Sequence, residues 1–128
     1  MNIPDDRRYS SDHEWIQRAD DGDVVRVGVT DYAQDSLGDV VFVEIPEVGQ
    51  SVKAADTVTE VESTKSVSDI YAPVSGTIVS ANDDLDDRPE LLNSDPYGDG
   101  WICSIEMSDP SQYDELLDAA GYRALTEG

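Results

Sequence analysis

The sequence predicts a mostly β fold that ends in a helix. Short apolar runs rich in β-branched residues recur along the chain, and clusters of Gly, Pro, Asp and Asn separate them. Such runs, with apolar and polar residues in alternation, are typical of half-buried strands. An apolar repeat of helical spacing follows near the C-terminus. Because a chain of 128 residues can bury a core without disulfides, we expect a single domain over residues 1–128.

The N-terminal third predicts a β-hairpin and a short helix. Residues 14–16 and 24–29 are largely apolar and flank the turn-forming stretch at 20–23, which is the pattern of two antiparallel strands. Asp31, with a glutamine three residues later, resembles an acidic N-cap with its capping partner. The helix should end at Gly38, because glycine readily adopts the conformation that closes a helix.

The middle of the chain predicts a buried strand and a second hairpin. Residues 40–43 form an unbroken apolar run, which indicates a strand buried on both faces. Two alternating segments flank a run of small polar residues, so a hairpin is predicted over about 57–72 with Lys65 near its tip. With a period of 2, Val58 and Glu60 should share one face of its first strand.

The C-terminal part predicts one more strand and a helix. Residues 101–107 alternate, with Cys103 on the apolar face. Asp109 followed by proline is typical of a helix start and predicts a C-terminal helix over about 110–120 that stops at Gly121. The side chains that dock this helix on the sheets should be Tyr113, Leu116, Leu117 and Ala120.

The charge of the chain excludes several classes of partner. There are 29 acidic and 8 basic side chains, and the formal charge is −21. Such a surface repels nucleic acid and anionic membranes, which bind through clustered Lys and Arg. Acids scattered over the whole chain indicate a salt-rich cytoplasm, where a Debye length of about 3 Å at molar salt screens self-repulsion. No signal peptide or membrane-spanning run is recognisable, so we expect a cytoplasmic protein.

The composition offers little for catalysis or metal binding. Cys103 and His13 are the only residues of their types, so they form the one conventional pair of nucleophile and base. A buried, inert thiol is the usual outcome for a cysteine on an apolar strand face, and His13 reads equally well as a surface imidazole. We therefore expect neither an enzyme nor a metal site.

Lys65 is the feature with a chemical use. It is one of two lysines, and the small residues around it leave its amine open, whereas Lys53 has no comparable setting. A primary amine can be acylated, but a guanidinium cannot supply the neutral nucleophile. From spacing alone, Lys65 is equally well a solvated turn residue.

Motifs around Lys65 add a family resemblance. Residues 62–66, Glu-Ser-Thr-Lys-Ser, with Ala-Pro-Val-Ser-Gly at 72–76, resemble the lipoyl attachment hairpin. Segments 11–15 and 37–49, together with 27–34 and 93–101, are similar to the family of glycine cleavage system H proteins. The family commonly has Val and Ala on either side of the lysine, where this chain has Thr and Ser.

The resemblance implies a carrier without catalysis of its own. Its fold is a barrel-sandwich hybrid of two small antiparallel sheets, with short helices and a C-terminal helix. Lipoate would be joined by an amide to Lys65, and the arm would carry the aminomethyl group from glycine decarboxylase (P protein) to the folate-dependent aminomethyltransferase (T protein). Dihydrolipoyl dehydrogenase (L protein) and a lipoylating enzyme would be further partners of a monomer. With the acidic surface, the resemblance predicts a source among halophilic archaea.

The resemblance makes three carboxylates candidates for an acidic cleft that holds the loaded arm. Glu14 and Asp69 occupy family positions, and Asp12 stands where the family often has Ser. Each is alternatively a solvated surface acid, since acids abound in this chain. For the whole protein, a lipoyl or biotinyl carrier of another complex and an unmodified acidic binding module stay open as alternatives.

Overall fold

Two antiparallel sheets enclose the core of the computed structural model, which describes residues 2–18 and 22–127. Within these residues the strands are β1 Arg8–Tyr9, β2 Glu14–Arg18, β3 Val24–Val29, β4 Val40–Val43, β5 Ser51–Val52, β6 Thr57–Ser63, β7 Val67–Tyr71, β8 Gly76–Ala81 and β9 Cys103–Met107. The helices are α1 Asp31–Leu37, α2 Asp84–Asp87, α3 Leu91–Ser94, α4 Ser111–Asp114 and α5 Ala119–Glu127. One sheet has the order β1-β2-β3-β9-β8-β5 and the other β4-β6-β7. The predicted fold class is confirmed.

Apolar side chains gather in two clusters. The main cluster lies between the sheets and includes Val27, Val61 and Ile105. A smaller aromatic cluster packs Tyr9 and Trp15 with Tyr122 of α5, and so anchors the C-terminal helix. Burial of these large rings removes apolar surface from water, which is the main favourable term in folding.

The N-terminal hairpin and helix α1 are confirmed. Strands β2 and β3 pair antiparallel, while the predicted turn at 20–23 lies partly outside the described residues. Thr30, and not Asp31, caps α1, because its hydroxyl accepts a 3.1 Å hydrogen bond from the backbone N–H of Ala33. Gly38 ends the helix with φ of 78°, a left-handed conformation that suits glycine.

The prediction that residues 40–43 are buried on both faces is wrong. Val40 and Val43 are buried, but Val41 and Phe42 are exposed. Val41 is the extra residue of a β-bulge against β6, since Val40 pairs with Ser63 and Phe42 with the next residue along. A bulge places two consecutive side chains on the same side of a strand, so the apolar run is split into two inward and two outward residues.

A second bulge explains why Val58 and Glu60 do not share a face. Thr57 pairs with Tyr71 and Thr59 with Ile70, which leaves Val58 as the extra residue. Val58 is therefore buried, whereas Glu60 is exposed. The hairpin itself is present as predicted, formed by β6 and β7.

The C-terminal helix lies later than the predicted 110–120. A single turn at α4 is followed by a backbone bridge in which Leu117 exchanges hydrogen bonds of 2.8 and 2.9 Å with Tyr9. Asp118 then caps α5 by accepting a 2.7 Å hydrogen bond from the N–H of Gly121, so Gly121 lies inside the helix. As a consequence Ala120 is exposed and the neighbouring Ala119 is buried.

Candidate functional site

The hairpin tip that carries Lys65 is held by hydrogen bonds that its backbone N–H groups donate. The hydroxyl oxygen of Ser63 accepts hydrogen bonds from the N–H groups of Lys65 and Ser66, each at 3.2 Å. The N–H of Ser63 donates to the carbonyl of Ser66 at 2.9 Å. Thr64 donates to the carbonyl of Asp39 at 3.0 Å and so ties the tip to the strand beside it. Lys65 therefore has an exposed side chain on an ordered turn.

The stem of Lys65 lies over Gly38. A Cβ atom on that glycine would stand 3.1 Å from Cε of Lys65. Asn93 holds the segment below: its amide donates to the carbonyl of Gly38 at 2.8 Å, and its side-chain oxygen accepts from the N–H of Val40 at 2.9 Å. The glycine thus leaves room for the methylenes of the lysine, and Asn93 of α3 holds the backbone of this segment in place.

Glu14 is a buried carboxyl group with no ion-pair partner among the described residues. The whole residue is only 2% exposed to solvent. The Ser10 hydroxyl donates to it at 2.7 Å, and the N–H of Tyr71 donates at 3.2 Å. Burial raises the pKa of Glu14 to about 7, and these two hydrogen bonds oppose the rise.

A cleft of about 350 Å³ opens beside Glu14. Its acidic side chains are Asp12, Glu14 and Glu115, and much of the remaining wall is apolar. The lining residues are Ser10, Ser11, Asp12, Glu14, Ala54, Ala55, Ala72, Pro73, Glu115, Leu116 and Leu117. Asp69 does not line it, since this residue is exposed on β7 opposite Glu60. Of the three predicted cleft residues, the structure brings Asp12 and Glu14 together and leaves Asp69 outside.

Residues 7–128 match the family model described as glycine cleavage H-protein. The chain belongs to the glycine cleavage H-protein family. It is thus the lipoyl-bearing shuttle of the glycine cleavage system and works with the other components of that system. Membership separates it from the carriers of other complexes and from an unmodified binding module, the alternatives left open by the sequence.

Curated relatives and a crystal structure agree with the family. The glycine cleavage system H protein of Micrococcus luteus is 56% identical over 125 residues, covering 98% of each chain. That of Shewanella loihica is 56% identical over 126 residues, covering 98% of this chain and 97% of the relative. The fold is similar to the crystal structure of a glycine cleavage system H protein from Mycobacterium marinum. The TM-score is 0.88 at 46% identity, covering 98% of this chain and 100% of the other.

His13 and Cys103 lie in different surroundings. Cys103 is buried in the main core, and burial raises the pKa of its thiol to about 12, as expected for an inert cysteine. His13 is half-buried and not on the open surface: its Nδ1 lies 2.9 Å from the Tyr122 hydroxyl, and its ring stacks on Tyr32 at 4.5 Å. Burial lowers the pKa of His13.

Sequence reasoning missed Tyr122 and Asn93 as parts of the site's support. The Tyr122 hydroxyl lies 2.7 Å from that of Thr30, so α5 is joined to the cap of α1 as well as to His13. Tyr122 belongs to the segment that the sequence places beyond the helix, and Asn93 carries no chemistry of its own. Only long-range contacts, such as the one between Asn93 and Gly38, reveal these roles.

The described residues offer neither a metal centre nor a membrane-spanning helix. Over residues 2–18 and 22–127, no cluster of three or more His, Cys, Asp or Glu side chains is arranged to hold a metal ion. In the same part of the chain, none of the helices has the length and apolar character needed to cross a bilayer.

Proposed function

We propose that Lys65 is the residue that carries lipoate, through an amide on its ε-amine. The observation that carries this proposal is the exposed lysine on an ordered hairpin tip, where the hydroxyl oxygen of Ser63 accepts hydrogen bonds from two backbone N–H groups. The neutral amine attacks the carboxyl carbon of an activated lipoyl donor. The amide C–N bond forms while the bond from that carbon to the leaving group breaks, and the amine proton passes to solvent.

Lys53 is a natural control, because it is the other lysine and is also exposed. It lies in a different turn, where its N–H donates to the Asp56 carboxylate and its carbonyl accepts from the Asp56 N–H, each at 2.9 Å. Nothing in that turn resembles the serine-supported tip. A lipoylating enzyme that reads the shape of the hairpin should therefore ignore Lys53.

The cleft beside Glu14 is proposed to hold the end of the loaded arm. The lipoyl group supplies a sulfur that takes up the aminomethyl group from glycine decarboxylase and yields it to the aminomethyltransferase. A protonated amine at the end of the arm suits the carboxylates of Asp12 and Glu14, and the hydrocarbon part suits the apolar wall formed in part by Ala72. Asp69 is proposed as a contact along the way, on the strand that leaves the hairpin.

The remaining partners follow from the same proposal. Dihydrolipoyl dehydrogenase reoxidises the arm, and a lipoylating enzyme attaches it. We propose a monomer in the cytoplasm, because a carrier that visits several enzymes in turn needs its hairpin face free. The chain itself supplies attachment, support and charge to the arm and performs no catalysis.

The intact mass of the chain purified from its own host tests the attachment, with a peptide map over residues 60–80. We expect one lipoyl increment on Lys65 and none on Lys53. Lys65→Arg should abolish the increment, because arginine offers no neutral nucleophile, and Lys53→Arg should leave it unchanged. An increment that persists in Lys65→Arg would contradict the proposal.

We further propose that the chain works at high salt. Its 29 acids face 8 basic side chains, and the described residues form three ion pairs, all with an exposed carboxylate. Repulsion among the remaining carboxylates is screened at molar salt. The melting temperature should therefore rise by several degrees between low and molar KCl, and a flat response would contradict this. The proposal of high salt does not depend on an archaeal source, which the bacterial relatives named above do not favour.

A further inference from the structure

The outer face of the three-stranded sheet carries apolar side chains right beside the Lys65 tip. Phe42 pairs with Glu62, and Glu62 pairs with Val67, so these three form one row across β4, β6 and β7. All three are exposed; Phe42 is 45% and Val67 58% accessible, and the adjacent Val41 is 54% accessible. We name Val41, Phe42 and Val67 the tip cluster.

The tip cluster is a product of the bulge in β4. Without the extra residue, alternation would turn Phe42 inward and expose Val43 instead. The bulge buries Val40 and Val43 together and turns Val41 and Phe42 outward together. Bulges commonly re-aim side chains near functional sites. Val41 and Phe42 are adjacent, and Val67 lies on the far side of Glu62 in the same row. Because exposed apolar groups are unfavourable in water, three of them beside one hairpin tip indicate a surface that another protein covers.

The next row on the same face consists of carboxylates. Glu44 donates its N–H to the carbonyl of Glu60 at 3.0 Å, and Glu60 pairs with Asp69, so the three acids lie opposite one another across the sheet. All three are exposed, and none takes part in an ion pair among the described residues. Like charges directly opposite on a sheet are destabilising, so a partner with Lys or Arg at this place would relieve a standing repulsion.

We propose that this face docks the enzyme that attaches lipoate to Lys65, through an apolar depression over the tip cluster rimmed by basic side chains over the acidic row. The proposal rests on the carrier function proposed above. Phe42 and Val67 would be the apolar anchors, and Glu44, Glu60 and Asp69 would orient the complex. Central apolar anchors within a charged rim are the usual anatomy of a specific interface.

The short reach of the Lys65 side chain identifies the partner as the lipoate-attaching enzyme. The bare Lys65 amine lies within one side-chain length of the tip, with its stem over Gly38, so the enzyme that acylates it must lie against the residues next to the tip. Enzymes that act on the far end of the lipoyl arm meet a group that the length of the arm separates from the hairpin tip, and they can leave this face uncovered. The row of Phe42, Glu62 and Val67 lies directly next to the turn between Ser63 and Ser66 that carries Lys65.

Rates of lipoylation test the proposal. The full-length unlipoylated chain, its Phe42→Ser/Val67→Ser variant and a Val79→Ser control are incubated with the lipoate-attaching enzyme of the host and lipoyl-adenylate, in buffer with molar KCl. Val79 is 41% exposed on β8 of the other sheet. The double variant should lose at least tenfold in kcat/KM, mainly through KM, while the control equals the unsubstituted chain. Mass spectrometry gives the rate, and the melting temperature verifies the fold.

A second experiment distinguishes the lipoate-attaching enzyme from the other partners. Each variant is lipoylated to completion with excess enzyme and then assayed for aminomethyl uptake from glycine decarboxylase. Uptake by the double variant should equal that of the unsubstituted chain. Equal lipoylation rates in all variants would overturn the docking proposal, and so would a loss of uptake as large as the loss of lipoylation.

The two proposals fail in different ways. An unsubstituted chain that accepts no lipoyl group contradicts the carrier function itself. Equal lipoylation rates for the unsubstituted chain and the double variant would contradict only the proposed docking face. Glu44→Gln/Glu60→Gln adds a charge readout: lipoylation of this variant should depend less steeply on KCl than that of the unsubstituted chain, because fewer charged contacts remain to be screened.

Discussion

The hairpin tip and the Glu14 cleft differ in how the fold treats a charged side chain. At the tip, backbone groups are bound to Ser63 and the Lys65 side chain is left in water. In the cleft, the Glu14 side chain itself is buried and hydrogen-bonded, and its pKa rises to about 7. An exposed amine is accessible to a modifying protein, as the proposed attachment requires, whereas a buried carboxyl group interacts more strongly with a charge because water is excluded.

The largest expected effect concerns the pH dependence of stability in the cleft. Burial raises the pKa of Glu14 from its ordinary 4.5 to about 7, so the folded chain holds this proton more tightly than the unfolded one. The free energy of unfolding contributed by Glu14 is therefore fully present below pH 4.5 and falls by about 3 kcal/mol as the pH rises through 7.

Glu14→Gln tests this sign. Denaturant titrations at pH 5, 6, 7 and 8 in constant KCl should give a smaller decline in the variant than in the unsubstituted chain. Glu47→Gln, at an exposed position, should keep the full decline. Parallel curves for Glu14→Gln and the unsubstituted chain would show that the buried carboxyl group does not carry the effect.

A second prediction concerns the loaded arm. Hydrolysis of the aminomethyl group should accelerate about tenfold in Glu14→Gln, because a hydrogen bond to a charged group contributes roughly 1.5 to 3 kcal/mol and 1.4 kcal/mol corresponds to tenfold. Asp12→Asn should act more weakly, since Asp12 is exposed at the cleft. Release of ammonia and formaldehyde from the isolated loaded chain measures the rate.

Asp69→Asn sharpens the same measurement. Because Asp69 does not line the cleft, its substitution should leave hydrolysis of the loaded arm unchanged within a factor of about two. An effect as large as that of Glu14→Gln would place the end of the arm along β7 and not in the cleft.

The smallest expected effect lies at the tip. Ser63→Ala removes the acceptor of two backbone N–H groups and should lower the free energy of unfolding by about 1 kcal/mol, since both groups can turn to water. Lipoylation should slow several-fold through KM, because a loose tip presents Lys65 in many orientations. Ser80→Ala on β8 is the control. A rate unchanged in Ser63→Ala would show that the enzyme itself orders the hairpin.

Sequence reasoning recovered the features that local chemistry determines. Period-2 alternation located β6 and β7, and the run of small residues placed Lys65 at the tip. The bulges at Val41 and Val58 escaped prediction because an extra residue shows only against the partner strand. The helix boundary failed because Leu117 pairs with Tyr9, more than one hundred positions away in the chain.

Candidates for the cleft came from the family resemblance and not from local chemistry. Glu14 matches a family position and Asp12 is its neighbour, whereas an acid in a chain with 29 acids carries no local signal of its own. Glu14 accepts a hydrogen bond from Tyr71, which comes from the other sheet and lies far along the sequence. The place of Asp69 outside the cleft follows from its strand register, a property of pairing and not of composition.

The hydrogen bond between Glu14 and Tyr71 also bears on self-association. Strand β7 is an edge of the smaller sheet, and free N–H groups on an edge invite pairing with a second chain. The Glu14 carboxylate occupies the N–H of Tyr71 at the end of that edge, and Asp69 adds a charge in its middle. The carboxyl group that faces the cleft therefore also occupies a donor on this edge, which disfavours pairing of β7 with a strand of a second chain.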